Sequence, residues 1–180
     1  MSYLSIILSP YKLFCVLCAV IVTSGKKGKV YLLKAKYKFP KSVSMGDVRI
    51  VGRHIAIGEH TYMNSGHIAT APDASVRIGR WCAIGHNVTI LALTHDTNIA
   101  TGAESQRPSK KGDVIIEDGV WIGSNAIITP GVTIGRQAVV GGNSVVVHDL
   151  PPNTVCAGIP CKPLYSKSNE DIEKHKDLIK

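Results

Sequence analysis

The chain has 180 residues, 44% of them apolar, which is enough for one domain with a short appendage and excludes global disorder. Aromatic residues are only 6%, against 17 glycines and many Val and Ile, so a helical bundle is excluded in favour of a β-rich, turn-rich fold. The net charge of +8 is local: residues 1–41 hold eight of the 21 basic residues and no acid, which leaves 13 basic against 13 acidic residues in the rest. That basic stripe has no interleaved aromatics and no nucleic-acid motif, so nucleic acid is not expected as a partner. An anionic membrane surface suits it better.

Residues 1–41 form an apolar, lysine-rich N-terminal segment expected to be helical. Its uninterrupted apolar run, Leu13–Val22, is too short for the ~20 residues a bilayer crossing needs. Only Lys12 precedes that run, and the other seven lysines follow it, which is the wrong arrangement for a signal peptide. Three placements stay open: a helix packed on the body or on a neighbouring subunit, a membrane-surface anchor, and a true span. Cys15 and Cys18 form a C-x-x-C in this run without a second pair to complete a zinc site. The five cysteines follow no disulfide framework and read as free thiols in a reducing compartment.

Residues 42–163 carry an internal repeat. Ile116, Ile122, Ile128, Ile134, Val140 and Val146 stand six apart, and two places before each lie Val114, Val120, Ala126, Val132, Ala138 and Ser144. The same grammar gives Met45, Val51, Ile57 and Met63 upstream, then Ile78, Ile84 and Ile90. A period of six matches neither a helix nor plain strand alternation, but fits a short strand and a sharp turn repeated. Glycine after the aliphatic position (Gly123, Gly135, Gly141) is expected to supply the positive φ of the corners. Three strands and three corners make a coil of ~18 residues, and stacked coils make a parallel β-helix. The step from Met63 to Ile78 is fifteen residues, so a bend or extra loop is expected over residues 64–77. A second excursion, residues 94–113, lacks hexads, and a long loop leaving a regular solenoid is usually functional. Residues 164–180 are charged; Ser168 and Asp171, ahead of Ile172, Leu178 and Ile179, predict a short C-terminal helix.

The motifs resemble those of the acetyl-coenzyme A-dependent acetyltransferases of the galactoside, maltose and xenobiotic type, hexapeptide-repeat proteins. The matching segments are Asn87 to His95, Val120-Trp121-Ile122-Gly123-Ser124, Pro130 to Gly135, and Asp149 to Lys162, with Asn64 closing an earlier hexad. The resemblance implies a left-handed β-helix over 42–163, a homotrimer with active sites between subunits, and acetyl-CoA as co-substrate without a metal. It implies a carbohydrate hydroxyl as acceptor. It places His95 as general base and Asn64 as the residue that orients the acceptor or the base. The pantetheine arm would run near Trp121, Ser124 and Gly142, with Ser124 or a nearby backbone N–H at the oxyanion and Lys162 at a coenzyme A phosphate. Where these enzymes commonly carry a second basic residue, this chain has Pro163-Leu164-Tyr165-Ser166.

The residue types suit the chemistry. A sugar hydroxyl is barely acidic at neutral pH, and an imidazole with a pKa near 6.5 can take its proton as it attacks a thioester. The thioester is already activated, so Cys82, Cys156 and Cys161 read as structural. The expected enzyme is a cytoplasmic O-acetyltransferase of surface polysaccharide synthesis (capsule or O-antigen), with peripheral contact at the inner face of the membrane through residues 1–41 left open. Two alternatives stay open, N-acetylation of an amino sugar and a non-catalytic hexapeptide scaffold. A zinc site from His67, His86 and His95, as in hexapeptide carbonic anhydrases, is a further reading, but it does not require the Val120–Ser124 or Ala157–Lys162 segments.

Overall fold

The computed structural model describes residues 25, 32–96, 109–168 and 170. Hexads with small or β-branched inner residues leave the chain one way to bury them, which is to coil and stack. Three parallel ladders result. The first face is built from the start of β1 (Ser44–Val51) and of β3 (Tyr62–Ala69), then β5 (Ala83–Ile84), β10 (Trp121–Ile122), β13 (Val139–Val140) and β15 (Thr154–Gly158). The second face takes the ends of β1 and β3, then β6 (Val88–Leu91), β11 (Ile127–Ile128) and β14 (Val145–Val146). The third is β2 (Ile55–Ile57), β4 (Val76–Ile78), β9 (Val114–Ile116) and β12 (Thr133–Ile134), extended by a bridge from Ile134 to Leu150.

The register stacks like on like. Met45, Met63, Ile84, Ile122, Val140 and Cys156 form one inner column. Ile50, Ile68, Ile90, Ile128 and Val146 form the second, and Ile57, Ile78, Ile116, Ile134 and Leu150 the third. Nearly all are buried, which makes a dry core one side chain deep from each face.

The structure corrects the phase of the first coil. Val51 is 44% exposed, and Ile50 packs against the core in its place. β1 runs unbroken through the first corner, so Val48 and Ile50 turn inward, and Gly52, with φ of 106°, makes the next bend. The steps are thus five and then seven residues. The same continuity holds in β3, where Gly66 with φ of 142° carries the corner, and the extra residues expected over 64–77 form the turn after Ala69.

The glycine expectation holds at Gly52, with φ of 106°, and is corrected at Gly123, Gly135 and Gly141, which have no positive φ. The left-handed corner positions are filled by His60, Trp81, Asn87, Asn125, Gln137, Asn143 and Asn153, together with Gly119 and Gly131. Asn tolerates this region because its amide bonds locally, and here Asn87 donates to Asn125 and Asn125 to Asn143, each at 3.1 Å. Gly85 and Gly123 serve another need, the close approach of the next coil. A β-carbon on Gly123 would lie 2.5 Å from the Gly142 nitrogen, and one on Gly85 2.8 Å from the Ser124 nitrogen.

At the N-terminal end, helical residues 32–37 lead to Phe39, which is buried, and the Tyr37 hydroxyl donates to the Gly52 carbonyl at 2.7 Å. The end of the 1–41 segment therefore docks on the first coil. The run Leu13–Val22 with Cys15 and Cys18 lies outside the described residues, as do residues 97–108 and the face of Ile172, Leu178 and Ile179. Among the described residues, no helix is long and apolar enough to cross a membrane. At the other end, β16 (Cys161–Ser166) returns antiparallel along β15. Residues 164–166 thus belong to a strand, not to the helical tail expected from residue 164.

Candidate active site

His95 ends β7 (Leu93–His95), which pairs antiparallel with β8 (Ser109–Lys111), His95 opposite Ser109. Part of the excursion expected as a loop is therefore a two-stranded ribbon. Its base is anchored: Leu93 packs against the core, the Gly112 N–H donates to the Ala92 carbonyl at 3.1 Å, and Lys111 pairs with Asp73 at 3.0 Å. The His95 side chain is exposed at the far end of the described ribbon, which leaves the coil between the second and third faces.

Asn64 is exposed at the opposite side of the second face, just after Met63, where β3 passes from the first face to the second. Extending the Met63–Ile84–Ile122–Val140 register by one residue places Asn64 in a row with Gly85, Gly123 and Gly141. Ser124 and Gly142 follow one residue later on the same edge. The Ser124 hydroxyl accepts the His86 N–H at 3.1 Å, so its own proton is left to donate outward. A β-carbon on Gly142 would meet the Ser124 carbonyl at 3.2 Å. Lys162 is exposed opposite Ala157 in β16, and Ala157 abuts Gly141, so Lys162 stands at the C-terminal end of this edge. Trp121, 56% exposed, lies beside the edge on the outer side of the first face, between Ala83 and Val139.

The structure thus gathers Asn64, Ser124, Gly142 and Lys162 on one edge with Trp121 next to it, and sets His95 on another. Within one chain, the ladders put His95 and Asn64 at different corners of the coil. Sequence reasoning overlooked a cleft on the second face, lined by Asp47, Arg49, Ser65, Gly66, His67 and Asn87. The only signal for it was the 18-residue spacing that stacks Asp47 on Ser65 and Arg49 on His67. Of the three histidines read as a metal trio, His67 lies in this cleft, His86 is on the Ser124 edge and His95 is on the ribbon. Among the described residues, no three His, Cys, Asp or Glu side chains gather as a metal site requires.

The buried thiols do not offer a nucleophile. Burial pushes the Cys82 thiol up to about 11, against contacts to Thr61 and to backbone N–H groups that lower it. Burial also raises Cys156 and Cys161. Thiolates are the reactive form, so these three should resist iodoacetamide at pH 8 in the native protein and react once it is unfolded. Peptide mapping by mass spectrometry reads this out. The raised Cys82 value also has a sign for stability. The unfolded chain loses the proton first, so the contribution is whole below the ordinary value of 9.0 and drains away as pH climbs toward 11.

Comparison with known proteins places this architecture. A family model described as bacterial transferase hexapeptide (six repeats) matches residues 113–148, the stretch from β9 to β14. The galactoside O-acetyltransferase of Escherichia coli K12 is 29% identical over 184 residues, 91% of this chain and 88% of that protein. A Vibrio cholerae hexapeptide-repeat acetyltransferase solved with acetyl-coenzyme A superposes with a TM-score of 0.70 at 29% identity, over 90% of this chain and 92% of that one. A maltose O-acetyltransferase from Clostridium difficile 630 gives a TM-score of 0.67 at 30% identity, over 79% and 76%. With its inner columns in register and this likeness along most of its length, the chain belongs to the hexapeptide-repeat acetyltransferase family.

Proposed function

We propose that the protein transfers acetyl from acetyl-CoA to a hydroxyl of a carbohydrate, in a site shared by two subunits of a trimer. The observation that carries the reading is the separation of His95 from the edge that holds Asn64, Ser124, Gly142 and Lys162. A base on one edge and an acceptor-orienting amide on another complete each other when the edges come from different chains. The outer side of the first face supports association: Tyr62, Ala83, Trp121, Val139, Val155 and Tyr165 stack in register as one mainly apolar stripe, exposed at Tyr62, Trp121 and Tyr165 and half-buried at the others.

The Ser124 edge fits acetyl-CoA. Its small residues let an extended arm lie close to backbone donors, Trp121 offers an apolar surface, and Lys162 supplies a charge for a phosphate. Acetyl-CoA brings an activated thioester carbonyl. His95 accepts the proton of the attacking hydroxyl, Asn64 holds that hydroxyl in line, and the Ser124 hydroxyl donates to the carbonyl oxygen that gains charge. The C–S bond then breaks, and coenzyme A leaves as the thiol with the proton returned from His95. No covalent acetyl-enzyme is required. The eight lysines of residues 1–41 favour an acceptor near an anionic membrane, such as a lipid-linked glycan of a surface polysaccharide, with the enzyme at the cytoplasmic face.

The test is the thermal midpoint with and without coenzyme A. Saturation at a hundredfold excess over Kd should add ~2.7 kcal/mol per site, and the midpoint should rise clearly. No rise in a confirmed trimer would overturn the transferase reading in favour of a scaffold. Parallel assays with hydroxyl and amino sugars separate O- from N-transfer.

A further inference from the structure

The cleft on the second face has a volume of about 580 Å3, within the range of small-molecule sites. Its walls come from two rows set by the β1–β3 and β3–β6 pairings. Asp47 lies opposite Ser65, and the Asn87 N–H donates to the Ser65 hydroxyl at 2.9 Å. Arg49 lies opposite His67, which lies opposite Thr89. Nε2 of His67 is buried and has no hydrogen-bond partner, although a buried polar atom of this kind normally has one. Among the described residues, Arg49 makes no salt bridge. Arg49 and His67 sit opposite each other on strands spaced by about 4.8 Å, and both line the same opening.

Among the described residues, no Phe, Tyr or Trp lines this cleft, and such rings are the stacking surface on which a neutral sugar ring commonly rests. Charge and hydrogen bonds must do the recognising. Arg49 matches the two oxygens of a carboxylate or phosphate in a forked geometry, and His67 Nε2 adds a third contact. The Ser65 hydroxyl has given its oxygen to Asn87 and keeps its proton to donate. Asp47 supplies acceptor oxygens to ring hydroxyls at the rim. Ser65 directly follows Asn64, so a group seated here lies next to the residue placed at the acceptor hydroxyl.

We propose that this cleft is the subsite for an anionic group on the acceptor, a uronate carboxylate or a sugar phosphate, and that Arg49 and His67 select for it. The inference rests on the transferase reading and names its substrate class. The experiment measures binding to the trimer saturated with coenzyme A, by calorimetry, of paired hexoses, hexuronates and hexose phosphates. Charged sugars should bind at least about tenfold more tightly than their neutral partners, the two charged arms showing which anion is preferred. R49Q, at an exposed position, should abolish that ratio, and H67F should reduce it, while the coenzyme A shift in midpoint persists in both. Equal binding of charged and neutral sugars by the wild type, or a ratio unchanged in R49Q, overturns the anionic subsite and leaves the transferase standing. Loss of the coenzyme A shift in the wild type overturns the reading beneath it.

Discussion

Replacing His95 with alanine should lower the rate of acetyl transfer by roughly 10²–10⁴, the usual contribution of a positioned general base. The loss should fall on kcat, because His95 is off the edge assigned to acetyl-CoA, and the coenzyme A thermal shift should survive. The ribbon that carries His95 is anchored by Leu93, Gly112 and Lys111 rather than by the imidazole, so the variant should fold normally. A mixing experiment adds a sharper test. Trimers assembled from H95A and N64A chains contain about one site in three where an intact His95 meets an intact Asn64, provided the site spans two chains. Activity should therefore return on mixing two inactive variants. Failure to recover in verified mixed trimers would place both residues in one chain's site or outside catalysis.

The second large effect is on stability. Gly123→Ala puts a β-carbon 2.5 Å from the nitrogen and 2.8 Å from the Cα of Gly142, and neither is a flexible side chain that can swing away. Neighbouring coils are held at strand spacing by the Gly123 N–H to Val140 and Gly141 N–H to Cys156 bonds, both 2.8 Å. Relief must stretch such bonds, so a loss of about 1–3 kcal/mol or more is expected, read by urea denaturation. Two comparisons locate the cause. Gly142→Ala meets the Ser124 carbonyl at 3.2 Å as its nearest atom and should cost less. Gly131→Ala meets nothing within 4 Å but sits at φ of 86°, so its cost is conformational, about 1–2 kcal/mol. Equal losses at all three would refute the steric account of Gly123.

From Ile116 to Val146, the sequence alone locates the core, because six consecutive hexads admit one phase and the inner columns follow it. The first coil was harder to read. Spacing of six predicts Val51 inside, but a strand that runs through its corner changes the count, and periodicity carries no information about corner continuity. Glycine misled in a similar way, since the residue suggests positive φ while the packing shows a need for room. The true left-handed positions were visible as Asn125 and Asn143, one coil apart. The motif around Asn87–His95 points to the base proposed here, and the Val120–Ser124 motif to the proposed ligand edge. That these lie on different edges follows only from the register of three ladders. The Arg49–His67 cleft was hidden for the same reason: residues 18 apart become neighbours only when β1 pairs with β3.

The antiparallel return of β16 has a bearing on solubility. A solenoid grows by adding strands to an open edge, and an open parallel edge invites another molecule to continue it. Along the first face, β16 occupies that edge with a strand of the wrong direction for a further coil, and it carries Lys162 and Pro163. Residues 32–39 sit at the other end, with Phe39 buried and Tyr37 bonded to Gly52. Each molecule is in effect a filament of fixed length with its ends occupied. Chains cut after Gly158 should lose that stop and build end-to-end polymers, detectable as growing light scattering from protein whose coils are still folded.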